Sequence, residues 1–225
     1  MTDRYVAGHG LGDAIRIAAV MKQRGVTRIT VEAPSPACEL FESIRWIEEI
    51  QTIPLHAADQ EAVEYWESVA CPEALHKTGR RPSDVIRTPL TLEWQDFHEG
   101  NVPGDFVGPF VAIQPASTLY KHRVLAPFPI EHNVVLLGTA LERGLVEWPR
   151  PKEYVLIDAR GHTSVGDAVF TVALADAVYG VESWAAILGG CLGIPVVHFI
   201  NERADRDLKP HWMELFPTMG FRVHA

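Results

Sequence analysis

Cysteine is scarce and scattered in this chain. Only Cys38, Cys71 and Cys191 occur in 225 residues, an odd number with no C-x-x-C pair. That spacing excludes a disulfide framework and suits a reducing compartment. Paired metal-ligand histidines are also missing: there are 10 histidines, but none forms H-x-H or H-x-x-x-H. No G-x-S-x-G elbow occurs, which counts against a Ser-His-Asp hydrolase. Long apolar runs are absent as well. The most apolar stretch, Ala185 to Ile200, is interrupted by Gly189, Gly190, Gly193 and Pro195, and reads as a buried helix, a turn and a buried strand, not as a membrane span. The opening residues lack the apolar core of a signal peptide, so a cytoplasmic location is expected. Positive charge is in deficit too. Twenty Lys and Arg against 29 Asp and Glu leave a net charge of −9, which disfavours broad electrostatic binding to nucleic acid. The cluster Lys77, Arg80, Arg81 reads as a solvated loop.

What remains is an ordinary globular composition, 47% hydrophobic and 22% charged. A short apolar run at Tyr5–Ala7 stops at Gly8, helical spacing follows from Asp13 to Arg24, Gly25 terminates it, and Arg28–Val31 reads as a strand. Strand, glycine loop, helix and strand in that order make a βαβ unit with parallel strands. Helical readings follow at Ala37–Ile44 and Ala58–Val69, with a short strand at Trp46–Ile50. Prolines and glycines break every period between Pro72 and Pro109, and the domain junction falls late in that stretch. Beyond it, strands are expected at Phe110–Gln114, Asn133–Leu137, Tyr154–Ile157, Ala177–Tyr179 and Ile194–Ile200. Helices are expected at Ser164–Ala175 with Ser164 as N-cap, at Ser183–Leu192, and at Leu208–Phe216. The fold class is therefore α/β, with two small Rossmann-like halves: an N-terminal domain over residues 1–105 and a C-terminal one over 106–225 that ends in a helix. Such sheets bind ligands beyond the carboxyl ends of their strands.

Three segments there carry candidate chemistry. In Gly8-His9-Gly10-Leu11-Gly12-Asp13 the glycines, Gly10 and Gly12 among them, allow close backbone approach to a ligand, and His9 can touch a substrate. A dinucleotide fingerprint would need glycine at position 13. Asp13 would repel a pyrophosphate, which counts against a nicotinamide or flavin site. Asp13 has two readings: a helix N-cap, or an ionised carboxylate that accepts a proton from an attacking hydroxyl. In Gln114-Pro115-Ala116-Ser117-Thr118-Leu119-Tyr120-Lys121, Ser117 and Thr118 can donate to a phosphate and Lys121 can neutralise it; the alternative is an ordinary polar loop. In Gly180-Val181-Glu182-Ser183-Trp184, a helix N-terminus after a strand suits an anion, with Ser183 as cap or ligand and Glu182 as a partner for ribose hydroxyls; burial of a capped core helix also explains the segment.

Taken in order, these segments resemble the heptosyltransferase-like glycosyltransferases of family 9. The shared features are Gly12-Asp13 before a helix, Gln114-Pro115-Ala116-Ser117 with Lys121, Leu136-Leu137-Gly138, Gly161-His162-Thr163-Ser164, and the block from Ala175 to Val197. The likeness covers roughly residues 5–34 and 110–200. Within the last block Glu182, Trp184 and Ile187 stand where the family has Asp, Gly and His. The resemblance implies a GT-B fold with an interdomain cleft and metal-independent, inverting transfer from a nucleotide-sugar donor to a hydroxyl acceptor, with no cofactor. Asp13 would be the base. Ser117, Thr118, Lys121 and the helix begun by Ser183 and Trp184 would hold the donor diphosphate. Glu142, after Gly138, would bind ribose. Two rivals stand beside this reading: a phage-like sugar transferase acting on a modified DNA base, and a non-catalytic nucleotide- or sugar-binding module.

Overall fold

The computed structural model describes residues 5–7, 10–58, 89–104, 108–117, 124–150, 152–181, 184–200 and 215–223. The first unit runs β1 (Tyr5–Ala7), α1 (Leu11–Arg24), β2 (Arg28–Ala33), α2 (Pro36–Glu42) and β3 (Glu49–Pro54). Its three strands form a parallel sheet in the order β1-β2-β3, with Ala7 level with Val31 and Val31 level with Thr52. α1 begins two residues before the expected Asp13. Its N-cap is Gly10, which offers no side chain, so Asp13 sits inside the first turn and is not the cap. At the other end Gly25 takes the left-handed conformation (φ 64°), and its N–H closes on the carbonyls of Met21 and Lys22.

The second unit carries β4 (Phe110–Gln114), β5 (Asn133–Leu136), α3 (Ala140–Arg143), β6 (Leu156–Asp158), α4 (Val165–Leu174), β7 (Ala177–Val181), α5 (Trp184–Cys191), β8 (Val196–Ile200) and β9 (Met219–Val223). These strands form one parallel sheet in the order β6-β5-β4-β7-β8-β9. Every residue of β4 is buried, as a central strand covered on both faces must be. Phe110 and Ala112 face the helices, whereas Val111 and Ile113 face a second, smaller core. On that second face Phe128, between Pro127 and Pro129, packs its ring against Trp148, Tyr179 and Phe199 at centroid distances of 5.4, 5.6 and 5.4 Å.

The sheets share one hydrophobic core. Tyr5, Ile15 and Phe41 from the first unit and Ala112, Val135 and Ala185 from the second belong to the same cluster. α1 lies against α5, and α2 against α4. Residues 89–98 strap the units together. The Leu90 N–H donates to Leu215, the Leu92 N–H to Cys191 (2.8 Å), and the His98 N–H to Ser43 (2.8 Å). Leu90, Leu92 and Phe97 are buried along the strap, and Lys22 pairs with Asp96 at 2.7 Å. Ser164 caps α4 as expected, accepting from the Asp167 N–H. The helix read at Ala58–Val69, most of that at Leu208–Phe216, and the 105/106 boundary lie outside the described residues.

Candidate functional site

The carboxyl ends of β1, β4 and β7 bring two of the three predicted segments, and the helix that follows the third, to one place. Gly12 faces the first turn of α5. A Cβ on it would lie 2.9 Å from Ile187 Cδ1 and 3.9 Å from Trp184 Cα. A side chain there would have to displace the tip of Ile187, so glycine leaves the two helices room to approach. From β4, the buried Gln114 reaches the same turn, where its Oε1 accepts the Ala185 N–H at 3.3 Å. Residues 10–13, 114–117 and 184–187 therefore meet, although about 70 to 100 residues separate the three stretches in sequence.

Asp13 stands at the mouth of this junction with its side chain 42% exposed. One oxygen lies 3.8 Å from Arg16 Nη2, and the other lies 3.0 Å from where a Cβ on Gly10 would stand. Arg16 is buried. Ser117 is buried as well, beside an antiparallel Ala116–Val124 bridge and a 2.7 Å bond from the Leu125 N–H to the Pro115 carbonyl. Trp184, half-buried, opens α5. His9, Thr118, Lys121, Glu182 and Ser183 lie outside the described residues.

Next to β4, the loop after β5 has its own polar scaffold. Gly138 has φ 141°, and a Cβ on it would strike the carboxylate of Glu142. Glu142 is buried. Its Oε2 accepts the Thr139 N–H at 2.7 Å, while Thr139 Oγ1 accepts the Glu142 N–H at 3.3 Å. This capping box commits one oxygen of Glu142 to the helix start. Beneath it, Arg160 is 2% exposed and grips Asp158 at 2.8 and 2.9 Å, and it donates to the carbonyls of Val146 (2.8 Å) and Glu142 (3.3 Å). Burial acts to raise the Asp158 pKa. The hydrogen bonds and charge of Arg160, with the charge of Arg143, outweigh it and hold the carboxyl below its ordinary value. Gly161 completes the scaffold by donating to the Gly138 carbonyl at 2.9 Å.

Sequence reasoning missed Arg16, the role of Gln114, and the Asp158–Arg160 pair. A signal existed for the first: Arg16 follows Asp13 by three residues and is the single charge in the stretch from Ala14 to Met21. Among the described residues no three His, Cys, Asp or Glu side chains gather as a metal site, and no helix is long and apolar enough to cross a membrane. A hollow of about 370 Å³ opens elsewhere, among Pro127, Phe128, Pro129 and Trp148, and holds none of the candidate residues.

No protein-family model matches the sequence, and no curated protein matches it. Solved structures do match. A family 9 glycosyltransferase from Veillonella parvula superposes with a TM-score of 0.54 at 13% identity, covering 98% of this chain and 85% of that one. In fold, this chain resembles the family 9 glycosyltransferases. Heptosyltransferase II of E. coli, an ADP-heptose enzyme, gives 0.53 at 12% identity over 98% of this chain and 92% of its own. The iron-containing dodecameric glycosyltransferase TibC of enterotoxigenic E. coli gives 0.53 at 14% identity, over 99% and 62%. A heptosyltransferase structure of TibC, in complex with ADP-D-β-D-heptose, gives 0.50 at 13% identity, over 99% and 62%. The family 9 likeness spans nearly the whole chain and is one of fold: an α/β protein with two parallel sheets in the GT-B manner.

Proposed function

We propose that this chain is a glycosyltransferase that moves a sugar from a nucleotide-sugar donor to a hydroxyl acceptor. The observation that carries the reading is the meeting of the Asp13 turn with the first turn of α5 at the carboxyl ends of parallel strands. Asp13 takes the proton of the acceptor hydroxyl as that oxygen attacks the anomeric carbon. The bond from that carbon to the donor phosphate breaks on the opposite side, which inverts the centre. The nucleoside diphosphate leaves with the bonding electrons. The amides at the start of α5, with Ser117, Thr118, Ser183 and the Lys121 ammonium, balance its charge. Asp13 supplies the base and the side chains with the helix dipole supply the counter-charge, so no step calls for a metal. Glu182 and Trp184 flank the donor, and Glu142 shapes its ribose side by holding the Gly138 loop. TibC has been crystallised with an ADP-linked heptose, which makes ADP-sugars the first donors to try.

The test begins with a thermal-shift panel of nucleoside diphosphates and their sugars, since a ligand that binds the folded state raises its apparent stability. Hits are then assayed for nucleoside diphosphate release with hydroxyl acceptors. Asp13→Asn is expected to lower turnover by about 10²–10⁴-fold while leaving donor affinity intact, and Lys121→Ala to weaken donor binding. Full activity in Asp13→Asn would remove the base. A second reading, a binding module without turnover, draws on the Ala185 amide already being taken by Gln114 and on Ile187 packing at Gly12. It predicts thermal shifts without diphosphate release.

A further inference from the structure

α1 carries a charge where its neighbours are apolar. Residues 14–21 are all buried, and Arg16 is the one ionisable side chain among them. Its side chain is 7% exposed, against 42% for Asp13 one turn earlier. The pair thus joins a cation fixed inside the protein to a carboxylate that reaches solvent. A guanidinium does not give up its proton in a protein, so this charge is permanent. Its field extends along the α1–α5 contact: burial pushes the Cys191 thiol up to about 12, and Arg16 pulls it in the opposite sense.

We propose that Arg16 is the positioning residue for Asp13, holding its carboxylate in one orientation at the mouth of the junction. The inference rests on Asp13 being the base of the transfer. A carboxylate on an exposed first turn would otherwise sample several rotamers. Arg16 is packed and cannot follow it, so the attraction selects one of them. At 3.8 Å the contact is an ion pair and is too long for a hydrogen bond, so the oxygen lone pairs stay available for a substrate proton.

The test is steady-state kinetics on the full chain for Arg16→Met, Arg16→Lys, Asp13→Asn and the double variant Asp13→Asn/Arg16→Met. Arg16→Met is expected to lower kcat by about 10²-fold, the scale of a small misplacement of a catalytic group, with the donor KM unchanged. Arg16→Lys, which keeps the charge, should recover part of that loss. In the Asp13→Asn background, Arg16→Met should cost nothing further. Equal losses in both backgrounds, an effect on KM alone, or no advantage of Lys over Met would each overturn the proposal. If Arg16→Met does not fold, as judged by its melting curve, Arg16→Lys with and without Asp13→Asn gives the same comparison. Should Asp13→Asn prove fully active, or no donor turn over, the reading of the whole site falls. Should Asp13→Asn be inactive while Arg16→Met turns over normally, only the role of Arg16 falls.

Discussion

Replacing Arg160 by Met tests whether the wall of the site after β5 and β6 is held by a buried ion pair. Methionine retains much of the side chain's length but removes four donated hydrogen bonds, two to Asp158 and two to the carbonyls of Val146 and Glu142. Breaking a buried pair by removing one partner costs about 3–5 kcal/mol. Asp158 is 24% exposed and keeps Arg143 at 3.3 Å, so its charge is not stranded. The expected loss is therefore at the low end, about 3 kcal/mol, of which the two carbonyls contribute about 1 kcal/mol each. In a chain of this size that lowers the melting temperature by about 6–12 °C. The pH dependence separates the parts. The native pKa of Asp158 lies below its ordinary value. As pH falls, the unfolded chain, with a carboxyl near ~3.9, takes up the proton first. The stabilisation from the pair is thus complete well above that value and is lost as pH falls through the lower, native pKa. Urea denaturation of wild type and Arg160→Met at about pH 7 and at about pH 3 should show the penalty shrinking toward the carbonyl contribution in acid. A loss under about 1 kcal/mol at neutral pH, or one that does not change with pH, would refute the reasoning.

Three further outcomes follow from local geometry. Gly161 has φ 74°, and a Cβ there would lie 2.8 Å from Ala140 Cα and 2.9 Å from its nitrogen, so Gly161→Ala should lose about 2 kcal/mol in urea denaturation; wild-type stability would show that the two loops are not in contact. Gln114→Leu removes the acceptor for the Ala185 N–H and should cost about 1–3 kcal/mol, read from the same midpoints. Burial, with Glu42 and Glu39 nearby, pushes the Cys38 thiol up to about 11, and burial pushes Cys191 up to about 12. Both should resist alkylation in the native protein at about pH 8 and react once it is denatured. Peptide mapping by mass spectrometry reads this directly, and rapid native labelling of either would contradict its burial.

The parts of the fold legible in the sequence are those whose signal is local. α1 was readable because apolar residues recur at helical spacing as far as Met21 and Gly25 then stops the helix, and α4 because Ser164 is a side-chain cap. The start of α1 was misplaced because its cap, Gly10, has no side chain to announce it. β3 was expected at Trp46–Ile50 and lies at Glu49–Pro54. It is an edge strand with mostly exposed residues, so its position is set by its register with β2 and not by any apolar alternation. β7 runs through Gly180 to Val181, because pairing with Gln114 and His198 holds the glycine in the sheet. β9 was not read at all: its place comes from pairing with β8. The strap was hidden for the same reason. Leu90 and Leu92 look like isolated apolar residues among prolines, and their partners, Leu215 and Cys191, are about a hundred residues away. The candidate site divides likewise. Glycines and an aspartate after a strand could be picked out locally, whereas the burial of Arg160 depends on carbonyls 14 and 18 residues earlier.

The packing of α1 on α5 also bears on how such a site can work. The side chain proposed as base and the helix proposed to face the donor belong to elements that share one core, so their separation is set by a direct helix–helix contact. Gly12 leaves room for that approach at one point, and Gly189 lies close to the sheet at another, where an added Cβ would lie 2.9 Å from both Val178 and Val196. Interiors packed in this way do not deform continuously. The alignment of Asp13 with the start of α5 is therefore present before any substrate arrives. In the proposed transfer, catalysis would therefore draw on preorganisation of the base against the donor-facing helix.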